Sequence, residues 1–130
     1  MPFRDPPLSL HDIYEAIESI ERFVRGMDFS AFQADEKTSA AVERKLLVLS
    51  EAARRLGDEA EKLCPSIPWN NIRGIGNWLR HQYDRVDPSV IWQTVQRDLP
   101  SLKLAVGKTL ASSDSPVPAS PNPPDEPSLI

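Results

Sequence analysis

Cys64 is the only cysteine, which excludes a disulfide framework and a cysteine-based metal site and suits a reducing compartment. Histidine is nearly as scarce: His11 and His81 lie too far apart for a helical metal motif, and the acidic positions lack ligand spacing. No metal and no cofactor is therefore expected. No apolar run approaches the roughly eighteen residues of a membrane span, and the start, Met-Pro-Phe-Arg-Asp-Pro-Pro, has no apolar signal core. The expectation is a cytoplasmic protein without membrane contact. Period-2 alternation and Asn-Gly hairpin signals are also missing, so no sheet is expected. Without strands there is no strand-led phosphate loop, and no nucleophile elbow for Ser-His-Asp chemistry. A basic excess is absent too. The formal net charge is -4, and three of the acids, Asp114, Asp125 and Glu126, lie beyond residue 112 with no Lys or Arg beside them. The remaining body is close to neutral, so any attraction for RNA must be local.

What is present is helical periodicity. Ile13, Ile17, Ile20 and Val24 recur at helix spacing, with Tyr14 and Phe23 beside the stripe and Ser9 as N-cap. They predict a helix over 9–25 stopped by Gly26. Its acidic polar face suits a core helix, not a membrane-surface one. Phe29 and Phe32 sit in a connector, where they can plug the core. From Glu36, the positions Val42, Leu46, Leu49, Ala53 and Leu56 define a long helix to Gly57, with a continuation after a kink through Leu63. Pro65 and Pro68 end it. A third helix runs from Trp69 to about Tyr83, and a fourth starts at Pro88 with Asp87 as N-cap. Pro100 breaks or kinks that helix, and a last one carries Leu102, Ala105, Val106 and Leu110. The expected architecture is all-α, an up-and-down bundle of four to five helices. Residues 1–8 are expected to be irregular, 9–111 to form the helical domain, and 112–130 to be a disordered acidic tail rich in Pro and Ser.

Residues 73–84 hold the one concentration of chemically active side chains. On a helix, Arg73, Asn77, Arg80, His81 and Asp84 share an arc of roughly 100°, opposite Ile72, Ile75 and Leu79. Such a face is most often a solvated surface, and a histidine near a helix C-terminus often serves only the helix dipole. Gly74 and Gly76 argue otherwise, because each costs a helix interior about 1 kcal/mol relative to Ala. They fit a close approach by a ligand or another backbone, unless the helix starts at Asn77 and both lie in a loop. If the face is a site, phosphodiester chemistry suits it. Imidazole can carry the proton, guanidinium can hold the phosphorane charge, and Asn77 can orient the imidazole or donate to phosphate. One His and one or two Arg make half a site, which two copies meeting across a symmetric dimer would complete.

The run Asn77-Trp-Leu-Arg-His81-Gln-Tyr83, followed by Val86-Asp87, Trp92 and Asp98-Leu99-Pro100-Ser-Leu102, resembles the signature of HepT-like HEPN proteins. Upstream, Asp12-Ile13, Gly26-Met27, Phe32, Asp35, Ala41 to Leu46 and Glu51-Ala52 agree in order, so the resemblance covers about residues 9–107. It implies the all-α HEPN fold and a homodimer whose two motifs line one cleft. It also implies a metal-independent endoribonuclease acting on RNA, the toxin of a type VII-like toxin–antitoxin pair. The partner implied is a minimal nucleotidyltransferase antitoxin that silences the toxin by AMP transfer to the motif tyrosine. Carried over, His81 is the catalytic imidazole, Asn77 its polar neighbour and Tyr83 the modification acceptor, although Tyr83 can equally pack its ring beside Leu79. The family's motif arginine, which should precede Asn77, is here Gly76, so its role falls to Arg80 or Arg73. The alternative is a non-catalytic HEPN module that binds a nucleotidyltransferase or RNA.

Overall fold

The computed structural model describes residues 6–82, 86–112 and 128–130. The expected modification acceptor Tyr83 lies outside them, as do residues 1–5 and most of the tail.

Helix α1 (Pro6–Val24) begins three residues before the expected Ser9, which is buried inside its first turns and caps nothing. Pro6 and Pro7 explain the early start, since the first turn of a helix has no use for their missing N–H groups. The chain leaves α1 through Gly26 at φ +79, a left-handed turn open to glycine. The expected connector then forms a short helix, α2 (Phe29–Ala34), capped by Asp28 through the amide of Ala31. Phe32 is fully buried and lies 5.1 Å, centroid to centroid, from the ring of Trp92. Asp35 next caps α3 (Glu36–Leu56) by accepting from the amide and hydroxyl of Thr38, bonds that hold its carboxyl below the usual range.

Gly57, at φ 56, ends α3 outright instead of kinking it, and α4 (Glu59–Leu63) is a separate turn. Helix α5 (Trp69–His81) follows, anchored by Trp69, whose indole N–H donates to the Cys64 carbonyl at 2.9 Å. Asp87 caps α6 (Pro88–Gln93) through the amide of Ser89, as expected. Pro100 does not break the chain there. A π-helical turn over Thr94–Asp98 feeds directly into α7 (Leu99–Ala111), with the amide of Leu99 reaching back to the Thr94 carbonyl. A wider turn is a way to continue a helical path past a residue that has no N–H to give.

Three sets of contacts fix the bundle's directions. Asp12 early in α1 pairs with Arg55 late in α3 at 2.8 Å. Glu21 late in α1 pairs with Lys103 early in α7 at 2.8 Å. Gly57 at the end of α3 meets Arg73 in α5, while Ser50, about two turns earlier, meets Gly76. Each neighbouring pair is therefore antiparallel, giving an all-α up-and-down bundle in the order α5, α3, α1, α7. Its core is the stripe read from the sequence: Ile13, Ile17 and Ile20 against Val42, Leu46, Leu49 and Leu56, closed by Ile72, Ile75, Leu99 and Leu102. Among the described residues no helix is long and apolar enough to cross a membrane.

The tail departs from expectation at its end. Ser128 to Ile130 fold back on the body, where the Leu129 amide donates to Thr94 Oγ1 at 2.9 Å and Leu129 and Ile130 pack on the core. Leu129 and Ile130 are the adjacent apolar pair in an otherwise polar stretch, so they are what the tail has to bury.

Candidate active site on helix α5

Helix α5 buries Trp69, Ile72, Ile75, Gly76 and Leu79. The opposite side carries Asn77, Arg80 and His81, all exposed. The helix begins at Trp69, so both glycines are helical and the loop alternative falls. They do different things.

Gly76 faces α3 and is buried against it. The Ser50 hydroxyl accepts from the Gly76 amide at 3.2 Å and donates to the Arg73 carbonyl at 3.0 Å, stitching the two helices at one point. A β-carbon built on Gly76 would lie 3.4 Å from Leu47 Cδ2 and from Ser50 Oγ, which is ordinary contact. It would also lie 3.8 Å from Arg80 Nη1. The Arg80 guanidinium therefore folds back along the helix, toward the space a side chain at position 76 would enter. Gly74 has nothing within 4 Å of its own β-carbon position. No packing inside the described chain requires glycine there.

Arg73 and Arg80, equivalent in sequence, are separated by the structure. Arg73 grips Glu61 with both guanidinium nitrogens, at 2.7 and 2.9 Å, and also donates to the Gly57 carbonyl and to Asn70 Oδ1. Its side chain is only 19% exposed. The bond to Arg73 holds the Glu61 carboxyl below its usual range, and the same bond raises the arginine. Arg73 thus ties the start of α4 and the end of α3 to α5. Arg80, three residues past Asn77 and next to His81, makes no hydrogen bond to another described residue and stays on the open side. His81 closes the helix, and its final turn is finished by the Gln82 amide donating to the Trp78 and Leu79 carbonyls. Asn77 and His81 stand one turn apart on one face, the i, i+4 relation that lets an amide and an imidazole meet.

The signal missed at the sequence level is Glu61. An acid twelve residues before Arg73, across two prolines, gives no periodic hint of the pair. Among the described residues no three His, Cys, Asp or Glu side chains gather as a metal cluster would.

A profile of the family described as "Ribonuclease HepT-like" matches residues 13–108, a span that holds the Asn77–His81 face and its supporting helices. The chain belongs to the HepT-like ribonuclease family. It is 44% identical over 94 residues to "Probable ribonuclease HepT" of Thermococcus cleftensis, covering 72% of this chain and 86% of that one. It is 30% identical over 106 residues to "Putative RNase MJ1380" of Methanocaldococcus jannaschii, covering 82% of this chain and 97% of that one. No solved structure matches. HepT-like membership gives the polar face of α5 its context: the matched region takes in every helix from most of α1 to most of α7, so the face and the frame that presents it come as one unit.

Proposed function

We propose that this chain is a metal-independent endoribonuclease, the toxin of a type VII-like toxin–antitoxin pair. Its antitoxin is a minimal nucleotidyltransferase that silences it by AMP transfer to Tyr83. The observation that carries the reading is the joint exposure of Asn77, Arg80 and His81 on one side of α5, inside the residues the family profile matches. The relatives' names as ribonucleases support the class of reaction.

In this reaction the RNA 2'-hydroxyl loses its proton and attacks the adjacent phosphorus, and the bond from phosphorus to the 5'-oxygen breaks as that oxygen gains a proton. His81 exchanges one of those protons. Asn77 orients the imidazole or donates to a non-bridging oxygen, and Arg80 neutralises the phosphorane in place of the motif arginine. Arg73 is left to its pair with Glu61. One chain offers one imidazole at this face, so a homodimer with the two α5 faces apposed supplies both proton-transfer groups. Purified protein incubated with single-stranded RNA and a chelator is expected to cleave it, and His81→Ala to abolish cleavage. Stable RNA after long incubation with the wild type overturns the reading.

Gly76 favours one second reading, a non-catalytic module that binds a nucleotidyltransferase or RNA. It requires binding without turnover, unaffected by His81→Ala.

A further inference from the structure

On the flank of α5 next to the Asn77–His81 face lies a concave site of about 540 Å³, lined by Asn70, Asn71, Gly74, Trp78 and Val90 together with Ser128 and Leu129. At 100° per residue, Arg80, Asn77 and His81 occupy one arc of the helix, and Gly74, Trp78 and Asn71 occupy the arc beside it. Trp78 is one turn before His81. Its side chain is partly buried against the core and lines the cavity. Gly74 offers no side chain, and the point where its β-carbon would stand is clear of the rest of the described chain to 4 Å, so a flat group has room to lie over the helix backbone beside the indole. The Asn71 carboxamide makes no hydrogen bond to another described residue. Asn70 gives its oxygen to Arg73 at 3.0 Å and keeps its amino group for another partner.

We propose that this cavity is a nucleobase subsite. A base of the RNA strand stacks on Trp78 over Gly74, its polar edge meets the carboxamides of Asn71 and Asn70, and its own phosphate is thereby delivered to the neighbouring arc. The inference rests on the ribonuclease reading and adds to it the part of the substrate that this chain recognises. The chemistry favours a base over a second copy of the chain. The surface is concave, it is of ligand size, and it combines one aromatic face with amide donors and acceptors, the pairing by which single-stranded RNA is read. A helix-to-helix subunit contact packs ridges of side chains into grooves, and at Gly74 this patch has no side chain to offer.

The experiment uses the full chain carrying His81→Ala, so that binding is read without cleavage, and fluorescence anisotropy of a labelled short single-stranded RNA. Trp78→Ala in that background is expected to weaken binding roughly 10- to 100-fold, as for loss of one stacked base, and Trp78→Phe to weaken it far less. An RNA with abasic sites is expected to bind both proteins equally. In the cleavage-competent protein, Trp78→Ala is expected to raise KM with kcat held and to change which bases flank the cut. If wild type cleaves RNA but Trp78→Ala leaves affinity and base preference unchanged, the subsite is wrong and the ribonuclease reading stands. If Trp78→Ala turns a dimer into a monomer in sedimentation, the cavity is a subunit contact and the subsite is wrong. If wild type neither binds nor cleaves RNA, both fall. Should Trp78→Ala fail to fold by circular dichroism, Asn71→Ala at the exposed rim reads the same cavity. Lost base discrimination supports the subsite there, and unchanged discrimination overturns it.

Discussion

Arg80 Nη1 lies 3.8 Å from the point where a β-carbon on Gly76 would stand. The resemblance in sequence leads one to expect a guanidinium at position 76; glycine stands there, and the Arg80 guanidinium, one helical turn on, is folded toward it.

This relationship predicts an asymmetry between the two arginines. Arg80→Ala is expected to lower RNA cleavage by about 10²- to 10³-fold, the usual loss for one transition-state donor, with little change in melting temperature. Arg73→Met is expected to do the reverse. A double variant separates displacement from coincidence: in Gly76→Arg the motif cation is restored, so adding Arg80→Ala should cost much less than it does alone. An undiminished loss in that background, measured as initial cleavage rate, would break the link between positions 76 and 80.

Gly76→Ala gives the complementary stability test. The added methyl meets Leu47 and Ser50 at ordinary contact distance, and alanine favours the helix by up to about 1 kcal/mol. Urea denaturation is expected to show an unchanged or slightly raised midpoint. Ser50→Ala, which removes the hydroxyl shared by the Gly76 amide and the Arg73 carbonyl, is expected to destabilise by about 1 kcal/mol.

Acid should loosen both the junction of α3, α4 and α5 and the cap at the start of α3. Glu61 has a folded pKa depressed first by its bond to Arg73, and Asp35 by its bond to the Thr38 amide. A depressed carboxyl stabilises the fold above its unfolded value and loses that contribution as pH falls through its folded value. Melting temperature is therefore expected to hold near neutrality and to drop as pH falls below the ordinary carboxylate range. In Arg73→Met the acid-dependent part of that drop should shrink. An identical profile in both proteins would remove Glu61 from the account.

Phe32 supplies a core test away from the site. It is fully buried in a six-residue helix that has little else to hold it, and it packs on Trp92. Phe32→Ala is expected to cost about 3–5 kcal/mol in chemical denaturation. A loss under 1 kcal/mol would mean that α2 does not pin α6 to the bundle.

Tyr83 carries the regulatory prediction. After co-expression with a cognate minimal nucleotidyltransferase, intact-mass measurement is expected to show added AMP that disappears in Tyr83→Phe. Retention of the added mass in that variant would place the modification elsewhere.

The long helices, the Phe32 plug, the Asp87 cap and the polar face of α5 were all legible in the chain, because each depends on residues within a turn or two of one another. Ser9 misled, since a serine that looks like a cap is also small enough to be buried in a helix, and Pro6 and Pro7 serve the first turn better. Gly57 was legible as a disturbance but not as a full stop; its positive φ decided that. At Pro100, the chain resolves the missing N–H with a π turn, a choice that depends on α6 and α7 both finding a surface to pack on. Leu129 and Ile130 looked like the end of a polar tail until Thr94 supplied a partner.

By itself, the sequence determined the all-α class, the antiparallel order that short connections permit, and the grouping of Asn77, Arg80 and His81, since helical periodicity is a local property of the chain. It left Arg73 and Arg80 interchangeable, because both fall on the same arc. Only the tertiary structure separated them. Glu61 and the Gly57 carbonyl reach Arg73 across the fold and consume its donors, while the Arg80 guanidinium lies beside Gly76 with no described partner. Long-range hydrogen bonds and helix-to-helix distance carry no periodic trace in a sequence, and here they decide which arginine remains available.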